Sequence, residues 1–295
     1  MAVLTLDRWK LSIGSGQPLV CIAGLNVLED PGLALETATH LKGLCQDLGL
    51  PFVFKASFDK ANRSSITSYR GPGLDAGLKM LAEVKAKLDV PIATDIHEVD
   101  QAAPVAAVAD LVQIPAFLCR QTDLVEAAAR AVDASGGWLH VKKGQFLAPW
   151  DCKNIVSKVK EAVTRDLLVL CERGNSFGYN NLVVDMLGIQ QMQALGVPVT
   201  IDATHAVQLP GADPRTSGGS TGAGATASPS SPRRPWRRAP TASSWNSTPS
   251  RTRRCAMLRA ACRSTPPPAC SRRSRRSMPR SAEPEMGDAS VCQFG

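Results

Sequence analysis

Seven short apolar runs recur between residues 19 and 205, and nearly every one ends in polar residues. They are LVCIAGLNV (19–27), PFVFKAS (51–57), PIATDIH (91–97), LVQIPAF (111–117), WLHVKKGQ (138–145), LLVLCERG (167–174) and PVTIDATH (198–205). Runs this short and apolar suit strands covered on both faces. Between them lie segments of helical spacing, among them PGLALETATHLKGLCQDLG, GLDAGLKMLAEVKAKLD, DLVEAAARAV, NIVSKVKEAV and NLVVDMLGIQQMQALG. Strict alternation predicts an α/β fold of parallel strands joined by right-handed crossovers. An open doubly wound sheet and a closed (β/α)8 TIM barrel both satisfy it, and the polar run ends decide between them. Asn26, Lys55 and Ser57, Asp95 and His97, Gln113, Lys142 and Lys143, Glu172 and Arg173, and Asp202 and His205 are spread over all seven runs. A barrel converges every strand end on one mouth, whereas an open sheet concentrates its ligands at one switch point. The barrel is therefore expected, with LTLDRWKLSIGSGQP as an N-terminal β-hairpin plugging its floor.

An eighth run is missing. After about Gly219 the chain becomes rich in Arg, Ser, Pro and Ala, lacks lysine and loses all period, so it cannot build a core. Charge divides at the same place: residues 1–220 hold 20 Lys and Arg against 23 Asp and Glu, and residues 221–295 hold 14 against 3. Residues 1–219 are therefore expected to form an incomplete barrel domain, and 220–295 a disordered tail, with the last strand missing or disordered. The genetic code offers a reason. Reading WNSTP one nucleotide earlier permits Glu-(Leu/Phe)-His-Pro, and the preceding PWRRAPTASSW becomes compatible with AVAAGADGLFM, the end of a helix followed by a strand. The tail is expected to be an out-of-frame translation. Without an eighth strand the first and seventh strands would keep unpaired edges, so this chain is expected to be poorly folded or inactive.

No basic segment with an apolar core and a cleavage site opens the chain, and no apolar run approaches membrane-spanning length, so a cytoplasmic location is expected. The nine cysteines are scattered without a CxxC pair, which favours reduced thiols over disulfides or a cysteine zinc site. Cys119 and Cys171, beside strand residues, read as ordinary buried thiols.

The densest chemistry follows the second run. KASFDKANRSSITSYRGPG (55–73) carries Lys55, Lys60, Arg63 and Arg70 among five aliphatic hydroxyls. Cations mixed with neutral donors such as Ser57, Asn62, Ser64 and Ser65 can hold a polyoxygen anion in one orientation, and phosphate is the obvious guest.

KASFDKANRSS, SYRGPG, QIPAFLCRQTDL, VKKGQF, CERGNSFGYNNLVVDM and DATHAVQ stand in this order between about residue 10 and residue 219. Together they resemble the 3-deoxy-D-manno-octulosonate 8-phosphate synthases, also called 2-dehydro-3-deoxyphosphooctonate aldolases. The resemblance implies a TIM barrel, a homotetramer, and condensation of phosphoenolpyruvate with D-arabinose 5-phosphate for lipopolysaccharide biosynthesis in a Gram-negative bacterium. It implies that Lys142, Arg120 and Arg173 grip the phosphate of phosphoenolpyruvate, while Lys55, Lys60, Ser57 and Gln113 hold its carboxylate end. Asn62, Arg63 and Ser64 would receive the sugar phosphate, Arg63 and Ser64 across a subunit interface. Two anionic reactants need several fixed cations in one mouth to offset their repulsion. The candidates for polarising the aldehyde and positioning the attacking water are Lys60, Asn26, Asp95 and His205.

In the metal-dependent branch of this family a cysteine ends the first strand, and here that place holds Asn26. No metal and no cofactor are expected; Cys21, five residues earlier, faces the other side of its strand. The glutamate and aspartate that the family carries on and after its last strand are absent in frame. The rival readings are the related barrels that make 3-deoxy-heptulosonate 7-phosphate or sialic acid, and a non-catalytic nucleic-acid binder acting through the arginine tail. ANRSS and SFGYNNLVVDM favour the octulosonate synthase. The tail lacks regular aromatics, so no nucleic-acid partner is expected.

Overall fold

The computed structural model describes residues 2–209 and two short strands at 222–223 and 291–294. It opens on an antiparallel hairpin, β1 (Leu4–Leu6) with β2 (Leu11–Ile13), turned through a left-handed Lys10. Alternating units follow: β3 (Val20–Leu25), α1 (Pro31–Asp47), β4 (Phe52–Ala56), α2 (Leu74–Leu88), β5 (Ile92–Asp95), α3 (Ala102–Val108), β6 (Leu111–Ile114), α4 (Thr122–Ser135), β7 (Trp138–Lys142), α5 (Lys153–Ala162) and β8 (Leu168–Glu172). A small hairpin, β9 (Asn175–Ser176) with β10 (Leu182–Val183), leads to α6 (Met186–Gln193) and β11 (Val199–Asp202). β12 (Gln208–Leu209) pairs with β13 (Gly222–Ala223), and β14 (Val291–Phe294) is the last element.

The seven expected runs are the parallel strands β3 to β8 and β11, each hydrogen-bonded to the next in chain order. Local sequence sets the element ends. Asp30 caps α1 by accepting the Leu33 N–H at 2.8 Å, with Pro31 in the first turn, and Gly136 ends α4 at φ 77°. Gly24 lets β3 and β4 close together, because a Cβ there would sit 2.0 Å from the Lys55 carbonyl oxygen.

The eighth place corrects the expectation of an open barrel. Among the described residues no strand follows β11 in a further αβ unit, yet β14 lies between β11 and β3, parallel to both, and the barrel closes. Two open parallel edges present rows of unpaired N–H and C=O groups, and any extended segment can pair with them. Val-Cys-Gln-Phe contains no Pro or Gly and includes the strand-favouring Val and Phe. The rest of the tail, where disorder and a shifted frame are expected, lies outside the described residues.

Two cores follow from the period-two strands. Outward residues such as Cys21, Phe54, Val112, Leu139 and Leu170 meet the helices. Inward residues Val20, Ile22, Val53, Ala93, Leu111, Trp138 and Val169 pack on Leu4, Leu6, Leu11 and Ile13 of the hairpin, which forms the floor as expected. Each such large aliphatic contributes about 1.5–3 kcal/mol by burial. Trp9 ties the hairpin to the frame by donating from Nε1 to Asp110 at 2.8 Å. With its lower half sealed, the barrel keeps its polar inward residues for the other end.

Candidate active site

Above the apolar floor the inward positions turn polar, strand by strand: Lys55, Asp95, Gln113, His140 and Thr200, then Ser57, Lys142, Arg173 and Asp202. All are buried. Groups of this kind persist in an interior only when partnered or awaiting a ligand.

Most are partnered. The Lys55 ammonium donates to Ser57 Oγ at 2.8 Å and pairs with Asp95 at 3.2 Å. Ser57 in turn donates to Asp95, whose second oxygen lies 3.3 Å from His97 Nε2. Burial alone would raise the Asp95 carboxyl, but Lys55, Lys60 and His97 hold it well below the usual range. On the opposite wall Lys142 donates to Asp202 Oδ2 at 2.5 Å, and His205 Nδ1 reaches the same oxygen at 2.8 Å. Burial, opposed by Asp202, pushes His205 down to about 4, so its ring is neutral near pH 7. Gln113 accepts from His140 at 3.3 Å, and the far nitrogen of that ring meets Thr200 at 2.8 Å. Burial pushes His140 down to about 3.

Arg173 is different. It is 7 % exposed, and its Nε and Nη1 are buried without a hydrogen-bond partner among the described residues. A guanidinium in that state carries a desolvation penalty of a few kcal/mol that an arriving anion can offset. Next to it Glu172 and Lys143, both 0 % exposed, pair at 3.5 Å, and Lys143 donates to Asn175 Oδ1 at 2.6 Å. They pin the start of the β9–β10 hairpin to the rim.

The loop after β4 is tied at its neck by the Lys60 N–H to the Arg70 carbonyl at 2.7 Å and by the paired Arg70 and Asp59 side chains. Gly71, at φ 129°, lets the neck pass Phe58, whose carbonyl a Cβ would meet at 2.3 Å. Lys60 is half-buried below this neck, and Tyr69 donates to the Leu28 carbonyl at 3.0 Å. Burial and Lys55 push the Lys60 amine down to about 7, Asp95 opposing.

Of the expected site residues, Lys55, Ser57, Lys60, Asp95, Gln113, Lys142, Arg173 and His205 line one mouth. Asn26 is exposed just past the end of β3, and Asn62, Arg63 and Ser64 lie in the outer loop, Asn62 and Ser64 exposed and Arg63 donating to the Tyr69 carbonyl at 3.1 Å. Arg120 is exposed and lines an open cavity of 570 Å³ against α5, with Asn154, Ser157 and Lys158. Cys119 and Cys171 are buried thiols as expected, and burial pushes Cys171 up to about 12. His97, His140 and Asp202 belong to the same network, although His97 and Asp202 stand in the sequence only as polar strand ends and His140 carries no such mark. Period two was the available signal: His140 shares a face with Lys142, and Asp202 with Thr200. Among the described residues, no group of three or more His, Cys, Asp and Glu is arranged to hold a metal ion.

The sequence pattern of the DAHP synthetase I family matches residues 2–218. The chain belongs to this family. Similarity to individual proteins is just as extensive. Proteins named 2-dehydro-3-deoxyphosphooctonate aldolase are 54 % identical in Hahella chejuensis, 52 % in Shewanella piezotolerans and 52 % in Marinobacter nauticus. Each alignment spans 219 residues, 74 % of this chain and 76 % of the relative. Within the DAHP synthetase I family the chain thus groups with the octulosonate enzymes. The family match stops where the composition of the chain changes. Among the described residues no helix is long and apolar enough to cross a membrane.

Proposed function

We propose that the mouth condenses phosphoenolpyruvate with D-arabinose 5-phosphate, giving 3-deoxy-D-manno-octulosonate 8-phosphate and inorganic phosphate, as a cytoplasmic step toward lipopolysaccharide. The observation that carries this reading is Arg173, whose buried N–H groups, unpartnered among the described residues, share one rim with Lys142. That pair suits the phosphate of phosphoenolpyruvate, with Arg120 assigned to it by family resemblance. Lys55, Ser57 and Gln113 suit the carboxylate. C3 of phosphoenolpyruvate attacks the sugar aldehyde, water adds to C2, and the C2–O bond to phosphate breaks. Lys60 polarises the aldehyde oxygen, Asn26 and Asp95 orient the aldehyde and water, and neutral His205 accepts the water's proton. Asn62, Arg63 and Ser64 receive the sugar phosphate. A homotetramer agrees with the fully exposed Ile66 in that loop and with Tyr179 and Phe177, 100 % and 71 % exposed, on the β9–β10 hairpin; sedimentation of a monomer would remove it.

The donor set does not fit a metal: Asn26 is a poor exchange for a thiolate ligand, and no step is routed through one. The test is an assay of phosphoenolpyruvate with aldose phosphates of four, five and six carbons, with and without a chelator. Any turnover is expected to be restricted to the five-carbon substrate and indifferent to chelation. Preference for four carbons would point to the heptulosonate reaction, and activity restored only by added metal would overturn the metal-free reading.

Lys60 makes the site's charge measurable without turnover. Its amine, depressed to about 7, is mostly neutral at pH 8, and a bound anion raises it again. Phosphoenolpyruvate binding at pH 8 is therefore expected to take up to about one proton, and progressively fewer as pH falls through 7. Calorimetry in buffers of different ionisation enthalpy reads this uptake. Its persistence in Lys60→Met would assign the proton elsewhere.

We further infer that residues from about 220 onward are read out of frame. Support comes from the family match, which ends at residue 218, and from the Glu-(Leu/Phe)-His-Pro phrase hidden one nucleotide earlier. Mass spectrometry of carboxyl-terminal peptides from the native source is expected to find the alternative frame. Recovery of tryptic peptides from the arginine-rich tail in the present frame would end the idea.

A further inference from the structure

Asp202 is 0 % exposed and closes β11 just before the turn that carries His205. Its Oδ1 accepts the backbone N–H groups of Thr204 at 3.2 Å and His205 at 2.9 Å, so the carboxylate cannot rotate without losing both. This clamp presents Oδ2 to two side chains at once, the Lys142 ammonium at 2.5 Å and His205 Nδ1 at 2.8 Å. An ionised carboxylate only accepts hydrogen bonds, so Nδ1 of His205 must be the nitrogen that carries the proton.

We propose that Asp202 is a positioning residue whose single oxygen sets both the Nδ1–H tautomer of His205 and the place of Lys142. The inference rests on the reaction proposed above, in which His205 accepts a proton and Lys142 holds phosphate, and it adds the group that fixes them relative to each other. With Nδ1 protonated, Nε2 keeps its lone pair and is the nitrogen able to act as the base. Because both partners share one oxygen, a phosphate that draws on Lys142 leaves Asp202 more fully to the His205 N–H. Substrate arrival then makes the ring a stronger base.

A merely structural carboxylate would affect stability alone, so the test reads tautomer and kinetics. The chain has four histidines, few enough to resolve in a two-bond proton–nitrogen correlation spectrum, and His205→Gln identifies the resonance. Wild-type His205 is expected as the Nδ1–H tautomer. Asp202→Asn keeps the shape but offers an N–H where Oδ2 stood, and is expected to shift the ring to Nε2–H. With it kcat should fall by roughly 10²- to 10⁴-fold and KM for phosphoenolpyruvate should rise by about 10-fold. Adding His205→Gln to Asp202→Asn should lower kcat little further, because one mutation has already disabled the other group. An Nε2–H tautomer in the wild type, an unchanged tautomer in Asp202→Asn, or kcat losses that multiply would overturn the role. Absence of condensation in the wild type would instead overturn the assigned reaction, and the spectrum would still decide what Asp202 does.

Discussion

Arg173→Met is expected to abolish useful phosphoenolpyruvate binding while leaving the fold equally stable or more stable. The two effects have opposite signs because they draw on one feature. In the unliganded protein the Arg173 Nε and Nη1 groups are buried and have no partner among the described residues, and burial disfavours the charged guanidinium. A methionine of similar length removes that penalty and fills the same space. In the complex those groups would face a phosphate, and truncating one partner of a buried charged contact costs about 2–5 kcal/mol. That is roughly 30-fold to several-thousand-fold in Kd. Titration calorimetry with phosphoenolpyruvate and a thermal melt on the same sample measure both. A melt several degrees lower, with binding intact, would mean that Arg173 is a structural cation and would remove the main support for the anion site. Stability given up for function at a preorganised site is the general expectation, and this pair of measurements tests it at Arg173.

The barrel was legible because its strands end in charge. Lys55, Asp95, Lys142, Arg173 and Asp202 each follow an apolar run, and convergence of strand ends is a property of closed sheets. Period two set Cys21 on the face of its strand opposite to Asn26, and Cys21 packs outward against the helices. What the sequence could not display was contact between distant strands. His140 meets Thr200 and Asp202 meets Lys142 across a separation of 60 residues, and no local pattern marks such pairs. Hence Asp202 read as a polar strand end although it holds two site residues. Arg120 illustrates the converse. It lies in a loop beyond β6 rather than on the strand, so period two does not govern it, and its side chain is exposed beside α5. The eighth strand was unreadable for a third reason. Val291–Phe294 reaches β3 and β11 across the whole tail, and a four-residue segment carries no signal of so remote a partner.

Asp95→Ala is expected to be the most destabilising change in the mouth as well as an inactivating one. The carboxylate receives Ser57, pairs with Lys55 at 3.2 Å and meets His97 at 3.3 Å, all within the barrel. Removing it leaves the Lys55 ammonium, 4 % exposed, without its counter-charge, and an uncompensated buried charge costs about 3–5 kcal/mol. Asp95→Asn should lose less, since its amide oxygen can still accept from Ser57. The sign of the pH dependence follows from the direction of the shift. The folded carboxyl titrates well below its unfolded value, so its stabilisation is complete above the unfolded value, near 3.9, and is lost as pH falls toward the folded one. Wild type and Asp95→Ala should therefore differ most in unfolding free energy at neutral pH and converge on acidification below about 4. Denaturant melts from pH 7 to pH 3 test this. A gap that stays constant across that range would show that Asp95 acts through packing, and that the cations of the mouth do not depend on it.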